Sequence, residues 1–130
     1  MNYFNKETQR IKEICFSNEV QIDLVVQTKK YLDTNYDQEI NLDLLSHLQC
    51  TSKFHLIRMF KKYFGLTPRQ YLINKRIERA KTLLISGHSV SEACYAVGFE
   101  SVHSFSTLFK TKTGKPPSSF TRAIFDKSKS

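Results

Sequence analysis

The stretch FHLIRMFKKYFGLTPRQYL, Phe54–Leu72, returns further along the chain as HSFSTLFKTKTGKPPSSFT, His103–Thr121. In each copy a Phe-Lys pair is followed four residues after the Lys by Gly, then by Pro three further on, then by an aromatic three beyond that. The matching residues are Phe60, Lys61, Gly65, Pro68 and Tyr71 against Phe109, Lys110, Gly114, Pro117 and Phe120. The repetition reaches upstream as well. A shift of 49 superposes Ser52, Leu56, Met59 and Phe60 on Ser101, Phe105, Leu108 and Phe109, and a shift of 48 superposes Leu42, Leu45 and Ser46 on Val90, Ala93 and Cys94. One residue is therefore inserted in the second turn. Each half reads as a short helix, a tight turn and a capped longer helix. A small residue, Ser46 or Cys94, sits on the first helix where another must pass closely, which is helix-turn-helix anatomy.

The punctuation of each element supports that reading. Ser52 offers a side-chain oxygen to the free amides of a first turn, and Leu56, Met59 and Phe60 then fall on one face before Gly65 ends the helix. The second copy does the same from about Ser101 to Thr113, with Phe105, Leu108 and Phe109 inward. Asn41 caps a short helix burying Leu42, Leu45 and Leu48. Ser89, with Glu92 three later, opens its counterpart through Val90, Ala93, Cys94 and Val97, closed by Gly98. Between the halves, Thr67, Pro68 and Gln70 combine a cap, a proline at the first helical position and a capping-box partner. The apolar pattern Tyr71, Leu72, Ile77, Ala80, Leu83, Leu84 then runs to a stop at Gly87.

Upstream, Asn18 with Gln21 caps a helix whose stripe is Ile22, Val25, Val26 and Leu32, ending near Asn35. Pro116 and Pro117 start a last short helix through Phe120 and Ile124. Tyr3, Phe4, Ile11 and Ile14 allow another amphipathic turn or two, although the first dozen residues and the tail DKSKS are polar enough to fray. Strand signatures are nearly absent, so the expected class is all-α. The expected divisions are an extension (1–18), a first helix-turn-helix subdomain (19–66), a linker helix (67–86), a second subdomain (87–125) and a tail (126–130).

The charge is placed unevenly. Of the net +8, the whole excess lies between Lys53 and Lys81, where nine bases meet one acid, Glu78. Met1 to Asp43 carries eight acids against five bases. Such polarity favours a polyanion on one side of the molecule, although a solvated lysine-rich surface has the same composition. The chain is 40% hydrophobic, with no apolar run near the ~20 residues of a membrane span and no secretion-signal layout at its start. A cytoplasmic, nucleoid-associated protein without membrane contact is expected. Cys15, Cys50 and Cys94 are odd in number and widely spaced, which suits reduced thiols better than a disulfide framework or zinc knuckle. His47, His55, His88 and His103 show no zinc spacing and no glycine-rich phosphate loop follows a strand, so no metal, cofactor or catalytic residue is expected. Cys94 reads as a core thiol rather than a nucleophile.

Two such units on one chain suggest a mechanism. A helix fits the major groove of B-DNA, and the second helix of a helix-turn-helix reads it while the first braces across the backbone. Single units usually dimerise to gain enough contacts. The joining helix, Pro68 to Leu84, is ~25 Å long at 1.5 Å per residue. With the flanking units added, that is about the reach needed to set two reading helices ~34 Å apart, one turn of DNA. A monomer on DNA is therefore expected.

At this point the residues resemble a known family. FHLIRMFKKYFGLTPRQYL, the linker RIERAKTLL and VSEACYAVGFESVHSFSTLFKTKTGKPPSSF are similar to the DNA-binding domain of AraC/XylS transcription regulators, over roughly Ile22 to Arg122. The resemblance implies seven helices in two homeodomain-like subdomains joined by the long helix. It also implies an asymmetric double-stranded DNA site and action on transcription, most often activation through RNA polymerase. In length the chain looks like the short stand-alone activators of that family, with too few residues before position 18 for a sensor. By the same likeness Phe54, Ile57 and Arg58 of the first reading helix face base edges, as do His103, Ser104, Ser106 and Thr107 of the second.

Phe54 and Ile57 are apolar yet fall off the Leu56, Met59, Phe60 face, which suits contact with thymine methyls; core packing is the other reading of Phe54. Arg58 can take guanine in a bidentate grip. Lys53, Lys61, Lys62, Arg69, Lys110 and Lys112 are the expected phosphate contacts, with the backbone amides near Ser52 and Ser101. Arg76 and Arg79 can serve there or as internal salt-bridge partners. Thr107 stands where many relatives have Arg, which implies weak or shape-based reading by the second unit. Cys50 and Thr51 replace a glycine and a larger apolar residue, which implies a different turn in the first unit. The competing reading from another class is an interaction module that uses the acids Asp23, Asp33, Asp37 and Glu39 to bind a protein, with residual or non-specific DNA binding.

Overall fold

The computed structural model describes residues 18–121. The expectations for Tyr3, Phe4, Ile11, Ile14, Cys15, Arg122 and Ile124, and for the tail, lie outside them. Among the described residues the elements are α1 (Asn18–Asn35), α2 (Leu42–Leu48), α3 (Lys53–Phe64), α4 (Pro68–Ile85), α5 (Val90–Ala96) and α6 (Val102–Thr113). A last helical turn covers residues 117–121, and no strand occurs among the described residues. The fold is all-α.

Packing divides the described chain into two compact units. One joins the residues up to Tyr31 with Asn41–Pro68; the other joins Leu32–Ile40 with the residues from Arg69 onward. The sequence reading set residues 67–86 apart as a linker and ended the first subdomain at 66. In the packing, α4 from Arg69 and the end of α1 contribute to the second unit. The physical reason is the apolar face of α4: Ile77, Ala80 and Leu84 are buried together with Ala93, Cys94, Val97, Phe105 and Phe109.

In the second unit the aromatic rings form a chain through that core. Phe99 lies 5.3 Å from Phe105, Phe105 5.6 Å from Phe109, and Phe109 5.3 Å from Phe120 in an edge-on contact. Offset and edge-on rings of this kind add to the burial of their area. Tyr36, Ile73, Leu83, Val90, Val102 and Leu108 cover the cluster from its margin. Leu83 and Leu108 are therefore only half-buried, where the sequence reading turned both inward.

In the first unit Leu56, Met59 and Phe60 of α3 are buried as expected, with Leu45 of α2. Leu48, expected inside, is 45% exposed. It lies at the last position of α2, one turn beyond the contact face. The stripe on α1 also differs from expectation. Ile22 is 46% exposed, whereas Gln21, Leu24, Val25, Thr28 and Leu32 are buried. Those five recur at helical spacing, and the two polar members are satisfied: Thr28 Oγ1 donates to the Leu24 carbonyl at 2.8 Å, and Gln21 accepts from side chains of α3. Gln21 is thus a packing residue and does not close a capping box with Asn18, which is itself helical.

Candidate nucleic-acid interface

Each short helix leads to its longer partner through a turn that opens in the same way, with Glu100 added before the cap in the second unit. In the first unit Cys50 N–H donates to His47 O at 3.2 Å and Thr51 N–H to Ser46 O at 3.0 Å. In the second, Gly98 N–H donates to Tyr95 O at 3.2 Å and Phe99 N–H to Cys94 O at 3.1 Å, the same pattern 48 residues on. Both turns need a left-handed residue: Gly98 has φ 99° and Cys50 has φ 53°. The expectation of a different first turn is therefore corrected. The hydrogen bonds hold the backbone in place, and the thiol side chain bears the strain that glycine avoids. Gly98 has a further constraint, since a Cβ there would meet the Asp37 carbonyl oxygen at 3.0 Å and the Arg76 guanidinium at 3.1 Å.

The turn delivers the chain to a capped helix start. Ser52 Oγ accepts from His55 N–H at 3.1 Å, and Ser101 Oγ from Ser104 N–H at 3.3 Å. Asn41 and Ser89 cap the preceding short helices in the same way, at 2.8 and 3.1 Å. At the other end Gly65 (φ 77°) and Gly114 (φ 83°) return their amides to Lys61 O and Lys110 O. Both α3 and α6 are thus fixed at both ends, and each has one face sealed in a core.

The opposite face of α3 carries the expected readers. Phe54 is 81% exposed, so the core-packing alternative fails for it. Arg58 is exposed and Ile57 half-buried beside it. Lys61 is exposed near the end of the helix. Two of the expected phosphate contacts have partners within the protein. Lys53 Nζ lies 2.6 Å from Asp43, both well exposed, a surface pair that contributes about 0–1 kcal/mol and can yield to a phosphate. Lys62 Nζ donates to Gln21 Oε1 at 3.0 Å and lies 5.2 Å from the Tyr63 ring centroid, while Tyr63 OH donates to the same oxygen at 2.9 Å. Lys62 therefore braces α3 against α1. That role of Gln21 escaped the sequence reading; its place on the same stripe as Leu24, Val25 and Thr28 was the available signal.

On α6, His103, Ser104 and Thr107 are exposed and Ser106 half-buried, with Lys110 and Lys112 exposed beyond them. Thr107 Oγ1 donates to the His103 carbonyl at 3.0 Å, and Thr111 Oγ1 to the Thr107 carbonyl at 2.9 Å. Arg69, at the start of α4, is also exposed. Arg76 and Arg79, read as phosphate contacts or salt-bridge partners, both have partners within the protein. Arg76 Nε donates to the Tyr36 carbonyl at 2.6 Å and Nη2 to the Gln38 carbonyl at 2.8 Å, with its guanidinium 5.6 Å from the Phe99 ring centroid. Desolvation lowers its pKa from the ordinary value against the pull of Asp37. Arg79 lies 5.8 Å from the Tyr36 ring centroid and donates to its hydroxyl at 3.2 Å.

Cys94 is fully buried and burial pushes its thiol pKa up, away from nucleophilic use. Among the described residues no group of three His, Cys, Asp or Glu is placed to hold a metal ion, and no helix is long and apolar enough to cross a membrane. Of the acids on the interaction-module reading, Asp33 is engaged internally by the Tyr71 hydroxyl at 2.5 Å and by Lys75 at 3.8 Å.

Comparison with known proteins agrees with this anatomy. A family model described as a helix-turn-helix domain matches residues 45–123. The chain is 33% identical over 100 residues to a Bacillus subtilis protein named as the bifunctional transcriptional activator/DNA repair enzyme AdaA, covering 76% of this chain and 46% of that one. Among solved structures it is similar to the C-terminal domain of AraT, a response regulator from Geobacillus stearothermophilus, with TM-score 0.74 and 28% identity over 77% of this chain and 84% of that one. The DNA-binding domain of the global transcriptional factor AdpA, solved with a target DNA, shares the fold at TM-score 0.69 and 24% identity over 82% and 94% of the two chains. The chain spans about half or less of the length of the curated relatives it matches. With its repeated turn, its two capped and outward-facing helices and these matches, the chain belongs to the AraC/XylS family of helix-turn-helix transcription regulators.

Proposed function

We propose that the chain binds an asymmetric site on double-stranded DNA as a monomer, with α3 and α6 entering successive major-groove segments, and activates transcription through contact with RNA polymerase. The observation that carries the DNA reading is the exposed face of α3. A Phe with four-fifths of its surface in water, beside an unburied Arg, has no reason in the fold and a good one in a groove lined by thymine methyls and guanine edges. Phe54, Ile57 and Arg58 are the readers of α3, and His103, Ser104, Ser106 and Thr107 face the groove from α6. Lys53, Lys61, Arg69, Lys110 and Lys112, with amides near Ser52 and Ser101, meet phosphates, and Lys62 does so only from its brace on Gln21. The activating role is supported by the activator named among the relatives. The chain acts where DNA is, in the cytoplasm.

Selection of bound duplexes from a random pool, followed by anisotropy titration of the selected and scrambled sequences at fixed salt, tests this. The selected duplex should bind at least ~10³-fold more tightly, the lower range for specific regulators. Equal binding of both would leave only a basic surface, and the interaction-module reading would take its place.

A further inference from the structure

The second turn depends on its surroundings more than the first. In the first unit Cys50 is followed by Thr51 and the cap Ser52, whereas in the second Gly98 is followed by Phe99, Glu100 and only then the cap Ser101. The turn hydrogen bonds are alike, so the added residue leaves two more backbone torsions to be fixed before α6 begins. Cys50 is exposed. Gly98 is crowded instead, since a Cβ there would lie 3.0 Å from the Asp37 carbonyl oxygen and 3.1 Å from the Arg76 guanidinium. The second turn is therefore seated against two groups from outside it, a loop carbonyl and the side chain of Arg76 on α4.

We infer that Arg76 is a positioning residue for DNA binding: fastened to the loop after α1, its guanidinium fixes the Gly98–Phe99 turn and so sets the direction in which α6 leaves it. This rests on the reading of α6 as a DNA-contacting helix and adds what aims that helix. The contacts run in one line. On one side Nε and Nη2 donate to the Tyr36 and Gln38 carbonyls at 2.6 and 2.8 Å, a two-point attachment that fixes the plane of the guanidinium as a single ammonium contact does not. On the other side the guanidinium lies 5.6 Å from the Phe99 ring centroid, and that ring lies 5.3 Å from the ring of Phe105, a fully buried residue of α6. Phe99 is thus held between a cation and the inward face of α6. Arg79 meets the same Tyr36, but at its ring and hydroxyl rather than at the carbonyl that Arg76 holds. Recognition contacts tolerate displacements of only about 0.5 Å or 10–20°, so a loosened turn is enough to take His103, Ser104, Lys110 and Lys112 out of register with a duplex.

Hydroxyl-radical footprinting on the selected duplex tests this, with each variant at a temperature where circular dichroism shows it folded and at a concentration that fully protects its tighter segment. The segment belonging to α6 is the one weakened by Lys110→Ala. Arg76→Ala should lose protection of that segment and keep the other, with affinity for the whole site down about 10- to 100-fold, as the loss of more than one contact gives. Arg76→Lys retains the charge without the fork and should show the same lost segment. Arg79→Ala removes one charge from the same helix and should keep both. Amide exchange on the free protein adds a measure that needs no DNA: Arg76→Ala should exchange about 10-fold faster at Phe99 and Ser104, with His55 at the start of α3 unchanged. Equal weakening of both segments, the same lost segment in Arg79→Ala, full recovery in Arg76→Lys, or unchanged exchange at Phe99 and Ser104 would each overturn the inference. A wild-type chain that protects a single segment would contradict the proposed function instead, and the exchange rates would still decide whether Arg76 holds the turn.

Discussion

Arg58 and Lys61 sit about one helical turn apart on the exposed side of α3, and on the proposed reading they answer to different parts of a duplex. Arg58→Ala should cost about 1–3 kcal/mol of specific binding and relax preference at one base pair. Lys61→Ala should weaken every sequence alike and reduce the salt slope by about one. Titration of single-base variants separates the two, and an equal loss across all sequences in Arg58→Ala would assign it to phosphate. Cys50 makes the opposite kind of test. Its left-handed backbone costs about 1 kcal/mol that glycine does not incur, part of which returns as the greater chain entropy of glycine when unfolded. Cys50→Gly should therefore raise stability by about 0.5–1 kcal/mol in denaturant melts with DNA affinity unchanged. Exposure at such positions was legible, because Phe54 and Arg58 fall off the apolar face. The pairing of Lys62 with Gln21 was not, since it joins residues 41 apart that carry no joint signature.

At the scale of the element, caps and stops were the legible signals. Asn41, Ser52, Ser89 and Ser101 all accept from the amide three residues on, and every glycine stop adopts positive φ. Those features depend on neighbouring residues alone. Which face of a helix turns inward depends on partners, and there the reading slipped. On α1 it followed apolar side chains to Ile22 and passed over Gln21 and Thr28, whose polar atoms are satisfied inside. On α4 it turned Leu83 and Leu84 inward together, although consecutive helical residues point about 100° apart. Leu84 is sealed and Leu83 only half-covered. Leu84→Ala should cost about 2–5 kcal/mol and Leu83→Ala distinctly less. Thermal melting of the two variants checks the order. Arg76→Ala should also destabilise, by about 1–3 kcal/mol, because it frees the Tyr36 and Gln38 carbonyls and removes the cover of Phe99.

For the whole molecule, the legible fact was duplication. A second copy of one motif implies two units built alike, and the described chain does fold as two compact units, each with its own short helix, turn and longer capped helix. Where one unit ends was not legible, because α1 and α4 look continuous in sequence while their residues pack with different cores. Charge belongs to this scale as well. If Lys53, Lys61, Arg69, Lys110 and Lys112 each meet a phosphate, the logarithm of affinity should fall with the logarithm of salt at a slope of about −4 to −5. A slope near −1 would mean that most of these lysines stay in solvent. The central claim is that one chain engages two groove segments. Hydroxyl-radical footprinting of the monomer on its selected duplex tests it most directly. The account predicts two protected backbone segments about one helical turn, 10 base pairs, apart on one side of the duplex. A single protected segment, with the second appearing only when another molecule binds, would contradict it.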